Sequence, residues 1–504
     1  MSAVLLVGLI GLPAAGAAVL AALPVWTDRA AKWFAVVVTT LTFGLSVALL
    51  AGRHEPRGDR VIDPWHELDV AWVPSLGIRF HLGVDGISWP LVALTALLCA
   101  LCAVYTVRHL PSPGRARTML ALLLVLEAGI LGVFLSLDVL LFFVFFEVTL
   151  APMYALIAVW GGPARRAAAR KFLLYTLFGS VLLLVGLLVV AVAAGTPDLV
   201  ELTQRGGTGM AYGTQVGAFV LLLLAFAVKS PLWPLHSWLP DAHTEAPTIG
   251  SVILAGVLLK MGTYGIVRIA LPAAPEGARA LAPWLGVLAV AAIGVAGLVC
   301  LAMNELKRLI AYSSVGHMGF VLLGVATLSA PGLQAALFGN VAHGLITGLL
   351  FFLVGGIKDR YGTGELAELG GIATVSPRLA ALLGFAAVGS LGLPGLAGFW
   401  GEMFAVVGAF QAAPVLSYWL FVTLGVLAAL GAALAAAYFL RMLRRTVVGP
   451  LGSAVTPNGA TLDGAEVLAW APLVALTLVI GLLPGLLLGL TVGPVEALLS
   501  VVVR

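Results

Sequence analysis

Stretches of about twenty consecutive apolar residues follow one another along this chain. Each is closed by proline, glycine or clustered charge, a rhythm that predicts helices long enough to cross a bilayer. Fourteen such spans are expected, near 2–23, 32–51, 84–107, 117–136, 139–160, 171–195, 215–235, 248–270, 281–302, 307–328, 333–356, 379–410, 415–440 and 467–491. Runs of this length, rather than alternating stretches of about ten residues, indicate helices and not a barrel. The longest polar stretch, 53–81, reads as an extramembrane loop, and 358–378 as a shorter connector. The first run begins at Ala3 with no basic residues before it and no cleavage site, so a retained first helix is expected.

Two of the spans are interrupted. The seventh reads Ala227-Val228-Lys229-Ser230-Pro231-Leu232-Trp233-Pro234, and the twelfth Gly389-Ser390-Leu391-Gly392-Leu393-Pro394-Gly395-Leu396-Ala397-Gly398. Proline removes a helix hydrogen bond, and such breaks at membrane depth belong where backbone is buried or lines a wet cavity. Their separation by five spans suggests two five-span repeats of opposite orientation around a midplane ion site. The expected fold class is an all-α polytopic membrane protein of about fourteen transmembrane helices. Residues 1–110 would hold three spans and the external loop, 111–272 the first repeat, 273–446 the second, inverted repeat, and 447–504 the last loop and span.

Basic residues orient this bundle. Seventeen lie in loops after odd-numbered spans, and eight in loops after even-numbered spans or at the C-terminus, Arg268 among the latter and Lys307 among the former. The odd loops are therefore expected in the cytoplasm and both termini outside it, in a bacterial plasma (inner) membrane.

Composition agrees: 61% of the 504 residues are hydrophobic, 10% are charged, and mean hydropathy is +1.10. A net charge of +4 implies no nucleic-acid partner. Of the three cysteines, Cys99 and Cys102 form a CxxC inside an apolar span, where a metal or redox pair would need further ligands. There is no flavin, nucleotide or iron–sulfur fingerprint, so no cofactor is expected in this chain.

The informative residues are the few charges inside the spans. Lys260 lies about 15 Å from either end of its apolar run, too far to snorkel, and a lone charge there costs roughly 3 kcal/mol on insertion scales. Lys229 precedes Pro231, Glu147 sits among four phenylalanines, Glu402 follows the second break, and Glu127 lies halfway along the fourth span as a supporting acid. His317 and His343 lie mid-span near Ser, Thr, Asn and Tyr, where an imidazole can bridge stronger acids and bases. Together they could form a relay for protons through water. The stretch His236–Glu245 superficially offers metal ligands, but its proline and its place between spans suit a loop with capping acids.

The runs Phe146-Glu147…Pro152-Met153-Tyr154, Lys229-Ser230-Pro231 through Pro247-Thr248, Leu258-Leu259-Lys260-Met261-Gly262, Leu306-Lys307-Arg308 through His317-Met318-Gly319, and Ser390-Leu391-Gly392-Leu393-Pro394-Gly395 resemble the antiporter-like subunits of respiratory complex I over roughly 80–450. The resemblance implies fourteen helices in inverted five-helix repeats, a glutamate–lysine pair at Glu147 and Lys229, a central Lys260 and a terminal Glu402. It further implies electron transfer in other subunits, which carry FMN and iron–sulfur clusters, and flanking partners of the L and N types. Glutamate at 402, where several members carry lysine, narrows the match within the family. Also open at this point are a sodium/proton antiporter of the Mrp type, a membrane-bound hydrogenase subunit, and a scaffold whose charges only lock helices together.

Overall fold

The computed structural model describes residues 2–23, 27–55, 60–456 and 461–503. Fourteen helices among them are long and apolar enough to cross a membrane. One of these, Gly485–Val502, behaves differently. Arg53 donates to the Gly489 carbonyl at 3.0 Å near one end, and Arg279 to the Val502 carbonyl at 3.4 Å at the other. Both contacts are to ends of spans on the face that carries the even-numbered loops, so this helix lies along that face. The twelfth crossing is supplied by two shorter helices, Pro377–Ser390 and Ala397–Phe410. The other thirteen and this divided crossing therefore make fourteen.

The C-terminal expectation is corrected accordingly. The last span runs Gly464–Leu482 rather than to 491, because Pro484 cannot continue the helix and Gly485 opens a new one. The expected loop 53–81 also holds ordered structure. Strands β1 (His66–Val73) and β2 (Ile78–Val84) form an antiparallel hairpin closed by Gly77 at φ 68°, and the third span begins only at Trp89. Alternation in this stretch was masked by charges that pair across the strands, such as Arg79 Nε with Asp69 at 2.5 Å.

The spans differ in what they face. The sixth and the thirteenth (Tyr418–Thr446) expose Leu, Val and Phe side chains, as a lipid-facing surface would, while the eighth (Thr248–Ala273) is buried throughout. That eighth span is the axis of the bundle and the least regular helix in it. It passes from α-helix into a π turn at Leu254–Leu258, back to α-helix at Lys260–Gly265, and into a second π turn at Ile266–Ala270. Pro272 accounts for the second: it has no N–H to give the Arg268 carbonyl, and its ring would clash there.

Two of the charges assigned above to loops are inside the protein. Arg268 is 3% exposed and ion-paired with Asp85 at 2.6 Å, and Lys307 is 4% exposed and donates to the Ala246 carbonyl at 2.7 Å. Each lies at a span end, so hydropathy places it outside while packing covers it. One charge leaves each side of the topological count, and its bias stands.

On the even-loop face, His81 of β2 joins the hairpin to the loop after the sixth span. Its Nδ1 lies 2.6 Å from Asp198 and its Nε2 2.9 Å from Glu67. Burial pulls the imidazole down, but the two carboxylates outweigh it and lift it to about 9.

Candidate functional site

The fifth span bends at Thr149, between helices Val139–Val148 and Leu150–Trp160. Pro152 denies the Val148 carbonyl its helical partner, and the Thr149 hydroxyl donates to the Phe146 carbonyl at 2.8 Å. This bend sets Phe146 and Glu147 beside the end of the seventh span. The Lys229 ammonium rests 4.6 Å from the centre of the Phe146 ring, an attraction of about 0.5–2 kcal/mol. Among the described residues no ion pair joins Glu147 to Lys229, and the Glu147 Oε1 has no hydrogen-bond partner. The seventh helix ends at Lys229 itself rather than continuing to 235, because Pro231 and Pro234 follow.

Lys260 is wholly buried, and the first π turn explains how it is held. The Leu259 N–H reaches back five residues to Leu254, at 3.3 Å, instead of four to Ala255. The Ala255 carbonyl is thereby left for another donor, and the Lys260 ammonium takes it. The same ammonium lies 2.6 Å from His343 Nδ1 on the eleventh span, Ala330–Tyr361. One turn on, Thr263 donates to Asn340 at 2.9 Å.

From His343 the line continues. The ring centres of His343 and His317 are 5.7 Å apart. His317 Nδ1 lies 3.1 Å from Glu402 Oε1, and its Nε2 2.8 Å from the Ser390 hydroxyl. The broken twelfth span makes this convergence: Ser390 ends its first half, and Glu402 stands one turn into its second. Gly392 (φ 68°) and Gly395 (φ 94°) turn the chain between them in the left-handed region that glycine adopts freely. His317, His343, Ser390, Glu402, Gly398 and Gly401 help line a cavity whose water-accessible space is about 30 Å³, room for one or two waters. A water there could bridge the two rings.

Six of the seven candidate residues thus fall into two clusters, Glu147 with Lys229 and Lys260 with His343, His317 and Glu402. Glu127 stands apart: it is fully buried and neither carboxyl oxygen has a partner. The stretch 236–245 does not converge on a metal. Lys171 (2.7 Å) and Arg308 (3.1 Å) hold Asp241, the Ala164 N–H (2.8 Å) holds Glu245, and His243 stacks flat on Phe351 at 4.4 Å. His243 is nonetheless a residue the sequence reading passed over as a site. It is fully buried, and neither ring nitrogen has a partner, which is costly unless water reaches it. Its place in a helix, Trp238–Glu245, rather than a loop was the missing signal. Arg268 was passed over for the reason given above, and its partner Asp85 sits just before the third span, which begins only at Trp89.

Comparison with known proteins shows the family and the fold. Residues 136–430 match the model of the NADH:quinone oxidoreductase/Mrp antiporter transmembrane family. NADH-quinone oxidoreductase subunit M of Rhodobacter capsulatus is 41% identical over 500 residues, covering 96% of this chain and 94% of that protein. Among solved structures, a chain of respiratory complex I from Thermus thermophilus superposes with a TM-score of 0.86 at 31% identity, each chain covered in full. A chain of the Mrp complex from Dietzia sp. DQ12-45-1b gives 0.84 at 26% identity, with 52% of that chain covered.

Proposed function

This chain belongs to the NADH:quinone oxidoreductase/Mrp antiporter family, and we propose that protons cross it along the line from Lys229 through Lys260 to Glu402. It is a proton-translocating membrane subunit of an NADH-quinone oxidoreductase, of the kind its relatives call subunit M. The Mrp chain, at 26% identity, is a more distant relative, and the hydrogenase reading rests on distant structural likeness alone.

The observation that carries the path is the contact of the Lys260 ammonium with His343, followed by His317 and Glu402 around a cavity that admits water. An inert charge lock would need only paired ions. Here a lysine meets a neutral-capable imidazole, and a second imidazole meets a carboxylate, so a proton has an acceptor at each step. At the other end, Glu147 favours a charged Lys229 through its field without a hydrogen bond, so a small movement about the Thr149 bend would change that support. Buried interactions over a few ångströms are worth several kcal/mol, enough to move a proton from one lysine to the next.

Electron transfer then takes place in other subunits, which would hold FMN and the iron–sulfur clusters. The three cysteines here are free and buried. L-type and N-type antiporter-like subunits would flank this one. The excess of basic residues on the odd-numbered loops supports a cytoplasmic location for that face and an external one for both termini, in a bacterial inner membrane.

The experiment is to place the assembled complex in sealed vesicles with a pH-sensitive dye inside and compare acidification per NADH oxidised. Glu402→Gln should lower it. Equal acidification in variant and parent would remove Glu402 from the path.

A further inference from the structure

Arg268 and Asp85 form a buried ion pair of 2.6 Å, each under 5% exposed, and neither belongs to the line of proton carriers. An arginine stays charged in a protein, so it cannot relay a proton. A pair this buried gives no assured gain in stability, because desolvation offsets the attraction. Its position supplies another reason for it. Arg268 stands in the second π turn of the eighth span, eight residues after Lys260.

Between them every polar side chain of the span reaches a different neighbour. Lys260 meets His343, Thr263 meets Asn340, and the Tyr264 hydroxyl donates to the Phe134 carbonyl at 3.2 Å. Arg268 closes the series on Asp85, which is itself fixed. Its Oδ1 accepts from the Ile87 and Ser88 N–H groups, both at 3.0 Å, in the turn that leads into the third span, while Oδ2 takes the guanidinium. Gly86 beside it leaves no room for a side chain, since an added Cβ would meet the Leu490 carbonyl at 1.8 Å. The anchor is thus clamped between the hairpin and the C-terminal helix.

A π turn inserts one extra residue into a helix, so gaining or losing it rotates everything on one side by about 100°. The short helix Lys260–Gly265 is bounded by two such turns, so its rotation depends on both of them as well as on the Thr263 and Tyr264 contacts. We infer that the Asp85–Arg268 pair is a positioning device: by fixing the second π turn it sets the rotation of that short helix, and so keeps the Lys260 ammonium on His343. This rests on the proton path proposed above.

The test is a cycle of variants in the assembled complex: Asp85→Asn, Lys260→Ala and the two together, with assembly read on native gels and NADH:quinone turnover and protons per NADH measured. Asp85→Asn should assemble and lose roughly tenfold in turnover. In the Lys260→Ala background it should cost under about twofold more, because it acts through that lysine. Should Lys260→Ala leave no measurable turnover, Lys260→Arg takes its place. Independent, multiplying losses would overturn the inference, as would parent-like turnover in Asp85→Asn. If Asp85→Asn fails to assemble, Arg268→Lys enters the same cycle. Failure of both to assemble would make the pair a folding element only, which also overturns it. Parent-level turnover and pumping in Lys260→Ala would instead defeat the proton path itself.

Discussion

Around Lys229 the ammonium sits on an aromatic face and the neighbouring Glu147 leaves an oxygen without a partner. Around Glu402 the carboxylate, His317 and Ser390 are joined by hydrogen bonds beside space for water. On the proposed path the first arrangement would act through a field, which falls gently with distance, and the second through contacts, which weaken steeply with distance. A field suits control and a contact chain suits conduction. Lys260 belongs to the contact chain, held by its own π turn and by His343.

Breaking the contact chain should therefore have the largest effect. His343→Phe keeps an aromatic ring but removes both nitrogens, and turnover of the assembled complex should fall about tenfold or more, given that a positioned proton-transfer group is worth ~10²–10⁴. Steady-state NADH oxidation in membranes checks this, and a loss under twofold would break the distinction. The shortened acids sharpen it. Glu402→Asp withdraws the carboxylate by about one methylene and breaks its 3.1 Å contact with His317, so a several-fold loss is expected. Glu147→Asp moves a carboxylate with no hydrogen bond to break and should stay within about twofold. Equal losses for the two would mean that both ends work alike.

Glu127 belongs to neither arrangement. Glu127→Gln should leave turnover within about twofold and stability within about 0.5–1 kcal/mol, measured by thermal inactivation of the complex. The smallest effect is expected outside the membrane. His81 is lifted to about 9 when folded, above its ordinary value near 6.5. A group raised on folding contributes fully below its unfolded value and loses that contribution as pH rises through the folded one. The hairpin should be most protected from proteolysis below about pH 6.5 and progressively less so toward pH 9, and His81→Gln should flatten that dependence.

Much of the frame was legible before the structure. Uninterrupted apolar runs located the spans, and the Pro-Gly clusters located both breaks, because each signal is local. Lys229, Lys260 and Glu402 stood out since charge inside an apolar run needs a reason. What stayed hidden depended on packing. Nothing local distinguishes Arg268 or Lys307 from the loop charges near them; only the neighbours that cover them do. The π turns around Lys260 leave no compositional trace beyond Pro272, and the separation of Gly485–Val502 from the last span rests on Pro484 within a continuous apolar pattern. That Lys229 rests on the Phe146 ring, with no ion pair to Glu147, depends on how the bend at Thr149 packs against the seventh span.

The central claim is that the controlling and conducting ends form one path through Lys260. The most direct measurement is the number of protons moved per NADH oxidised by the fully assembled complex carrying Lys260→Ala, reconstituted in sealed vesicles. The path predicts a lower ratio than in the parent complex, at whatever turnover remains. An unchanged ratio would contradict it.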